Sequence, residues 1–357
     1  MKRRLTLILA GALLLALLLA CAAAAAPTKP ATFTPHLVTS FSAGDYGSFA
    51  EGMAADSHGA LWVSLTRWGL YDDNVDPPLM TSNVGQIWKV TPDGHATLKV
   101  SKDITPYGML LGVAVRNDRV YVALYDQGAG TISAGVYRVD GRALTQVVAL
   151  PAGVWPNGIA SHGRHLYIAD SANGAVWRAR LGKRLTTLSK PWLKDARLAP
   201  GDPTTDPTKA GIGANGLAFR GDQLSVSSPD GGVILSVHVR KDGTHGALRT
   251  VCHDAALLSA DGIAFDATGG LWVTTNHGTK GASPAGGLFR LSPKGVLKTV
   301  ADDPGWLNYP TTPVFGTTGH TRKTLFVENG AYFDFNMDGT HPDIQALSVG
   351  VPGMPLR

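Results

Sequence analysis

Cysteine is almost absent from this chain, which has two in 357 residues, Cys21 and Cys252. Cys21 ends an apolar N-terminal segment typical of an export signal, so Cys252 has no partner for an internal disulfide. A fold held together by disulfides is therefore excluded. Cys252 ends a strand-like run, and we expect it to be a small buried hydrophobic residue rather than a reactive thiol.

Basic runs and stripes are also absent, although the formal net charge is +5, from 32 Lys and Arg against 27 Asp and Glu. Removal of Lys2, Arg3 and Arg4 with a signal segment would leave +2. A protein that follows a phosphate backbone needs a concentrated basic surface. The sequence therefore predicts no nucleic-acid partner.

The apolar run before Cys21 is shorter than a membrane span. Residues 5–20 form a charge-free run of 16 residues after a basic start, whereas a spanning helix needs about 20. This pattern predicts an export signal over residues 1–21 and a folded part that works in the cell envelope or periplasm. Leu18-Leu19-Ala20-Cys21 resembles a lipoprotein lipobox, which predicts lipidation of Cys21. Cleavage by an ordinary signal peptidase within 22–26 and a retained anchor helix are the alternatives.

Helical periodicity is almost absent beyond Pro35, and a different repeat takes its place. A glycine followed by a short apolar stretch recurs five times, at steps of 60, 46, 58 and 46 residues. The copies are Glu51-Gly52-Met53-Ala54, Leu111-Gly112-Val113-Ala114, Asn157-Gly158-Ile159-Ala160, Asn215-Gly216-Leu217-Ala218 and Asp261-Gly262-Ile263-Ala264. A second strand-like run follows each copy. A period near 50 residues built of short strands is typical of a β-propeller.

The segments between the repeats predict four strands in each blade. Blade 5 shows the full unit, and in blade 3 the run 185–188 is the predicted fourth strand. A weaker sixth blade takes strands from 313–315, 324–327 and 344–349, and its outer strand from 36–41. The sequence therefore predicts an all-β, six-bladed propeller over residues 35–357, with four antiparallel strands per blade. Residues 22–34, rich in Ala, Pro and Thr, are the predicted flexible tether.

The residue before the glycine, here called the start residue, carries a side-chain oxygen in four of the five copies. These four are Glu51, Asn157, Asn215 and Asp261, and the second copy has Leu111 instead. Because first strands lie closest to a propeller axis, the four side chains can converge at the mouth of the channel. An all-oxygen set favours a hard cation, and Ca²⁺ more than Mg²⁺.

A purely local role is the alternative, since Asn-Gly and Asp-Gly are common turn dipeptides. Glu-Gly is not a favoured turn pair, and Leu111 shows that this slot does not require a turn-forming side chain. Both observations favour a shared metal site. The long insertions 66–84, 190–214 and 276–286 are expected on the same face, where binding sites commonly lie.

This set of start residues, with a gap at blade 2, resembles the gluconolactonase, regucalcin and luciferin-regenerating-enzyme family of six-bladed propellers. Diisopropylfluorophosphatase-type relatives and, more distantly, paraoxonases share the layout. The second strands Tyr167-Ile168-Ala169-Asp170-Ser171 and Thr324-Leu325-Phe326-Val327 are similar too, and the resemblance covers about residues 40–350. It implies a divalent metal, usually Ca²⁺, held by the four start residues, and hydrolysis of a lactone or other ester. The large insertions, the weak sixth blade and the leader depart from the family and leave the substrate open.

In such a site the cation would polarise the ester carbonyl, and Asp261 could act as general base or as nucleophile. Weaker candidates for substrate contact or for support of the ligands are Asp170, Ser227, Ser228, His277 and Arg67 with Trp68 and Tyr71. Each has a plainer alternative, which is a solvated strand end, an ordinary loop histidine, or packing against the rim.

The leading hypothesis is an exported, monomeric, metal-dependent hydrolase of a small lactone or ester, which touches a membrane only through a lipid on Cys21. A non-catalytic propeller that binds a protein or a glycan is the first alternative. A metal that only locks the channel is the second. The carboxylates Glu51 and Asp261 favour the hydrolase, because a pure scaffold has no need to crowd two like charges at its axis.

Overall fold

The computed structural model describes residues 33–42, 47–69, 71–72, 79–80, 82–126, 133–202, 204, 211–277, 286–331 and 341–355. The chain divides into two units, Met1–Thr32 and Phe33–Arg357, and the description concerns the second. The predicted signal, Cys21 and most of the tether lie outside the described residues. In the part of the chain described, no helix is long and apolar enough to cross a membrane.

Six antiparallel sheets form the blades of a six-bladed β-propeller, as the sequence predicts. Blade 1 contains β2 (Ser48–Ala55), β3 (Leu61–Trp68), β6 (Asn83–Val90) and β7 (Ala96–Asp103), with a small hairpin of β4 (Tyr71–Asp72) and β5 (Leu79–Met80) between β3 and β6. Blade 2 contains β8 (Met109–Arg116), β9 (Arg119–Tyr125), β10 (Gly135–Asp140) and β11 (Ala143–Ala149). Blade 3 contains β12 (Pro156–His162), β13 (His165–Asp170), β14 (Ala175–Arg180) and β16 (Leu193–Lys194).

The other half of the ring has the same plan. Blade 4 contains β17 (Leu217–Arg220), β18 (Gln223–Ser228), β19 (Val233–His238) and β20 (Arg249–His253). Blade 5 contains β21 (Ala260–Phe265), β22 (Leu271–Thr275), β23 (Gly287–Leu291) and β24 (Leu297–Ala301). Blade 6 contains β25 (Pro310–Phe315), β26 (Thr324–Asn329), β27 (Asp343–Ser348) and the N-terminal β1 (His36–Ser40). Short 3₁₀ turns lie at Ala196–Leu198, Ala255–Leu257 and Gly319–Lys323.

The ring closes in the predicted way. The first strand of each blade contacts the first strand of the next, and β25 contacts β2 to complete the circle. Blade 6 has the strand order β1-β27-β26-β25, so the N-terminal strand supplies its outer edge. This overlap covers an edge that would otherwise offer unpaired backbone groups.

The predicted fourth strand of blade 3 is wrong. Residues Thr186–Thr187 (β15) pair in parallel with β11 of blade 2, and β16 completes blade 3 instead. After β14 the chain reaches the edge of the neighbouring blade before it returns to its own. A short run of apolar residues cannot indicate which of two adjacent sheet edges will accept it, because both offer the same unpaired backbone groups.

The five repeated glycines mark the closest approach between neighbouring blades. A Cβ atom on any of them would stand 2.2–2.5 Å from the carbonyl oxygen of the next start residue, which for Gly262 is Thr311. None of the five has a positive φ, so a turn conformation does not require glycine there. Glycine is needed because another backbone occupies the space of its side chain.

Beyond the glycines the channel contains a half-open cavity of about 240 Å³, lined mainly by apolar residues. Residues that follow each glycine line it, with Met354 from the C-terminal segment: Met53, Val113, Ile159, Leu217 and Ile263. The start residues precede the glycines along each strand. Their side chains therefore lie on the other side of the constriction from this apolar cavity.

Substitution Gly52→Ala is expected to destabilise the protein by about 1–3 kcal/mol, the usual range for overpacking. Its Cβ would stand 2.4 Å from the Leu111 carbonyl oxygen and 2.7 Å from Gly112 Cα, both backbone atoms. Urea unfolding followed by tryptophan fluorescence measures the effect. The control is Gly182→Ala, where the nearest atom is 4.0 Å away. Equal unfolding midpoints for the two variants would contradict this account of the glycines.

Candidate metal centre

Most start residues lie at a β-bulge in the first strand. The pairing of strands one and two shifts register at Ala50/Gly52, Leu110/Val113, Pro156/Ile159, Ala260/Ile263 and Pro310/Pro313. A bulged residue is released from regular pairing, and its side chain is re-aimed. Because each glycine contacts the next start residue, the bulges lie at one level around the channel.

The four predicted ligands are buried at this level, with exposed fractions of 6% for Glu51, 4% for Asn157, 3% for Asn215 and 4% for Asp261. Asn215 donates a side-chain hydrogen bond to the Asp261 carboxylate, and the charge of Asp261 acts on Glu51. Asn157 Nδ2 donates to Ser171 Oγ at 3.2 Å, which leaves the amide oxygen as the atom suited to a cation. The structure thus brings Glu51, Asn215 and Asp261 together and places Asn157 on the adjoining blade.

The sequence analysis missed Asn276, which directly follows the second strand of blade 5. Its Nδ2 donates to Asp261 Oδ2 at 2.7 Å and to the Pro310 carbonyl oxygen at 3.2 Å. Asp261 is therefore held between two amide side chains. The only signal in the sequence was an Asn at the end of an apolar strand. Such a residue looks the same as an ordinary loop asparagine.

Glu328 is the second residue that the sequence analysis missed. It is fully buried in β26, and its Oε2 accepts a hydrogen bond from Thr311 Oγ1 at 3.4 Å. Its Oε1 has no hydrogen-bond partner among the described residues. Its charge acts on Glu51, and the charge of Asp261 acts on Glu328. A carboxylate directly after the apolar run Thr324-Leu325-Phe326-Val327 was the available signal.

Burial raises the pKa of all three carboxyl groups. The pKa of Glu51 is well above its usual range because of burial and then the charges of Asp261 and Glu328. Burial raises the pKa of Asp261 to about 7, against the hydrogen bonds from Asn276 and Asn215. Burial likewise raises the pKa of Glu328, against the hydrogen bond from Thr311. No ion pair among the described residues involves these carboxylates.

The donor set fits a hard divalent cation. Among the described residues, no three Asp, Glu, His or Cys side chains form a ready-made metal cluster. The donors are instead a mixture of carboxylate and amide oxygens, which Ca²⁺ accepts in irregular geometry. A cation here would offset the like charges and would satisfy the unpartnered oxygen of Glu328. The residues present therefore fit Ca²⁺ on chemical grounds.

One side of the site is apolar. Two positions before the start residue, four blades carry Phe49, Met109, Trp155 and Tyr309, whereas blades 4 and 5 carry Gly213 and Ser259. The four larger residues belong to one hydrophobic cluster with Leu111. Leu111, the start residue without a side-chain oxygen, is thus part of an apolar wall.

Aromatic stacking stiffens this wall. Phe49 stacks on Trp68 with ring centroids 6.0 Å apart and planes 8° from parallel. Trp155 stacks on Tyr125 at 4.8 Å and 17°. Trp68 is therefore packed in the hydrophobic cluster that contains Phe49 and Leu111. Packing was the alternative to a role in substrate contact for this residue. Arg67 precedes Trp68 in β3. For Tyr71 the structure describes only its place in strand β4.

Asp170 and Ser227 are both fully buried and hydrogen-bonded within the fold. The Asp170 carboxylate accepts from Trp155 N at 3.2 Å, from Asn173 and from Trp177 Nε1 at 3.0 Å, all within blade 3. Ser227 Oγ accepts from Gly216 N and donates to the Asp261 carbonyl oxygen, each at 2.7 Å. Asp170 thus holds the backbone before Asn157, and Ser227 holds the backbone of Asp261.

The remaining weaker candidates lie close to the same level. His277 follows Asn276, is about half buried, and sits edge-on to Tyr309 with ring centroids 5.2 Å apart. Burial lowers its pKa, which favours the neutral imidazole. Ser228 is fully buried, and its hydroxyl has no hydrogen-bond partner among the described residues. Cys252 is only partly buried, against the core of blade 5.

Without metal, the protein is expected to lose stability as pH rises from 5 to 8. Folded Asp261 keeps its proton up to a pKa of about 7, whereas an unfolded chain releases it near 3.8. The folded state therefore binds more protons between these values, and this contribution is full below about pH 4 and is lost as pH rises through 7. We expect a fall of several degrees in melting temperature, measured in chelator.

Asp261→Asn should flatten this slope, because the amide does not titrate. Asp302→Asn, at an exposed carboxylate, is the matched control and should keep the wild-type slope. Parallel melting curves for wild type and Asp261→Asn across this range would contradict the electrostatic description of the site.

Comparison with solved structures shows proteins that share this fold. The chain matches no protein-family model and no curated protein sequence. A calcium-binding regucalcin from Agrobacterium tumefaciens is 16% identical, over 91% of this chain and 98% of that one, with a TM-score of 0.58. A gluconolactonase from Xanthomonas campestris is 16% identical over 91% of each chain, with a TM-score of 0.53.

A PQQ-bound aldose sugar dehydrogenase from Streptomyces coelicolor is similar to the same degree, at 17% identity over 90% of this chain and 99% of that one, with a TM-score of 0.52. Proteins of different chemistry thus share this architecture, so the similarity establishes the fold and leaves activity to the residues of the site. The chain has the propeller fold of the gluconolactonase and regucalcin structures, and its predicted resemblance to them is confirmed at that level.

Proposed function

We propose that this protein is a metal-dependent hydrolase of a lactone or related ester, with Ca²⁺ at the mouth of the channel. The observation that carries the proposal is the buried set of carboxylate and amide oxygens around Asp261, which no basic side chain among the described residues neutralises. Buried like charges are costly unless an opposite charge joins them. The likeness to a calcium-binding regucalcin and to a gluconolactonase agrees with this assignment.

Glu51, Asn157, Asn215 and Asp261 would hold the cation. When bound, it would supply the Lewis acidity that polarises the ester carbonyl. Asn215 and Asn276 fix the orientation of the Asp261 carboxylate through their hydrogen bonds. Asp261 is our candidate to take the proton of an attacking water or to attack the carbonyl itself.

The shape of the site favours a substrate with an apolar portion. Phe49, Met109, Trp155 and Tyr309 border one side, whereas blades 4 and 5 carry the small residues Gly213 and Ser259 at the same position. An apolar ring or acyl chain would lose contact with water against the aromatic wall. We therefore propose that lactones with alkyl or aryl substituents are better substrates than a polyhydroxylated sugar lactone.

Asp261→Asn is expected to lower kcat/KM for lactone hydrolysis by about 10²-fold or more, the usual scale for loss of a catalytic acid–base group. The assay follows proton release from alkyl-substituted and sugar lactones in Ca²⁺ and in chelator. Leu111→Met keeps the volume of a start residue that has no oxygen, and it should retain activity. Metal binding without turnover of any ester would instead favour the non-catalytic scaffold, with a protein or glycan partner.

We also propose that the protein is exported and acts as a monomer in the cell envelope. Residues 1–21 support export through their basic start and apolar run, and Leu18-Leu19-Ala20-Cys21 supports lipidation. Metabolic labelling with a radioactive fatty acid should mark the wild type and fail to mark Cys21→Ser. Equal labelling of both would exclude a lipid on Cys21, and an unprocessed chain in the cytoplasm would overturn export.

A further inference from the structure

A carboxylate stands in a slot that small residues fill in every other blade. In each blade, the residue two positions after the start residue pairs with a Val or Ile of the second strand. The residue after that Val or Ile defines the slot. From blade 1 to blade 6 the slot holds Ser64, Ala123, Ala169, Ser227, Thr274 and Glu328.

The slot faces the next blade. Three hydroxyl groups in it donate to the carbonyl oxygen of the next start residue: Ser64 to Leu111 at 2.6 Å, Ser227 to Asp261 at 2.7 Å and Thr274 to Thr311 at 2.6 Å. In blade 6 the next start residue is Glu51. The slot residue Glu328 is therefore directed towards the blade that carries Glu51.

Glu328 is not needed for the link between blades that a hydroxyl makes elsewhere. The carbonyl oxygen of Glu51 accepts its hydrogen bond from Thr312 Oγ1 at 2.7 Å. Thr311 Oγ1 lies 3.2 Å from the Ala50 carbonyl oxygen, a shorter alternative to Glu328 Oε2 at 3.4 Å for its single proton. Two threonines of β25 thus join blade 6 to blade 1. The longer side chain of Glu328 is not required for this link.

The surroundings of Glu328 lack a group that would satisfy it. Its side chain is fully buried, Oε2 has one long hydrogen bond from Thr311, and Oε1 has none among the described residues. Its neighbours include the like charges of Glu51 and Asp261, which lie on the two flanking blades. A buried carboxylate oxygen without a partner is costly, and a positive ligand at this place would satisfy it.

We propose that Glu328 is a further ligand of the cation at the channel mouth. Five of the six blades then supply an oxygen, and blade 2, with Leu111, supplies none. Blade 6 contributes from its second strand because its start residue, Thr311, is short and already bonded to blade 1. Three carboxylates give the site a high density of negative charge, which raises affinity for a small, highly charged ion. This inference rests on the metal site of the proposed function.

Calorimetric titration of the full chain with Ca²⁺, and separately with Tb³⁺, tests the inference without a substrate. Glu328→Gln keeps the shape of the side chain and removes its charge. We expect it to weaken Ca²⁺ binding about tenfold or more, and to weaken Tb³⁺ binding further because the ion carries more charge. In chelator the same variant should melt above the wild type, since one of three crowded like charges is gone.

Three controls separate this inference from the metal site itself. Leu111→Met should bind Ca²⁺ as the wild type does, and Asp261→Asn should bind it poorly. Glu328→Ser places in the slot the residue found in blades 1 and 4, so it gives a second folded variant that should also bind weakly.

The outcomes are distinguishable. If both Glu328 variants bind Ca²⁺ with wild-type affinity while Asp261→Asn does not, Glu328 is no ligand and the metal site stands. If the wild type itself binds neither ion, the metal site and this inference both fail.

Discussion

The close approach of six first strands around the channel is the constraint on which the rest of this structure depends. Each repeated glycine leaves no room for a Cβ atom, because the carbonyl oxygen of the next start residue occupies that space. This contact sets the spacing of the blades and brings the start residues to one level. The bulges follow from the same geometry, since a strand that bends at the axis must leave regular pairing there. A ring of side chains at the mouth of the channel is thus a consequence of how the backbone is packed.

Burial in such a ring is energetically unfavourable for polar groups. Glu51, Asp261 and Glu328 are removed from water and lie within range of one another's charge, which raises the pKa of each. Amide side chains and threonine hydroxyls satisfy part of this requirement, and the apolar wall around Leu111 satisfies none of it. The same desolvation that makes the metal-free site unfavourable would strengthen the attraction of a cation and sharpen its effect on a bound ester. Stability and proposed activity therefore have one electrostatic origin.

Several residues around the site hold the backbone that carries the start residues. Ser64, Ser227 and Thr274 hold the next blade through hydroxyl bonds, and Asp170 holds the turn before Asn157. The sequence analysis placed Ser227 and Asp170 near the site but could not distinguish support from contact, because that depends on which atoms face each polar group. It overlooked Asn276 and Glu328 for a related reason. Neither precedes a repeated glycine. Asn276 approaches Asp261 from the end of the paired strand β22, and Glu328 acts on the site from the neighbouring blade.

The sequence by itself determined the number of blades, the strands of nearly every blade, the closure of the ring by the N-terminal strand and the level of the start residues. It could do so because these features repeat, and a repeat shows what each blade needs in order to pack against the next. Only the tertiary structure decided that the glycines serve close backbone approach, that residues 186–187 join blade 2, and that Glu328 faces the site. These outcomes depend on which surfaces meet in space, and the local sequence does not specify which residues will lie opposite.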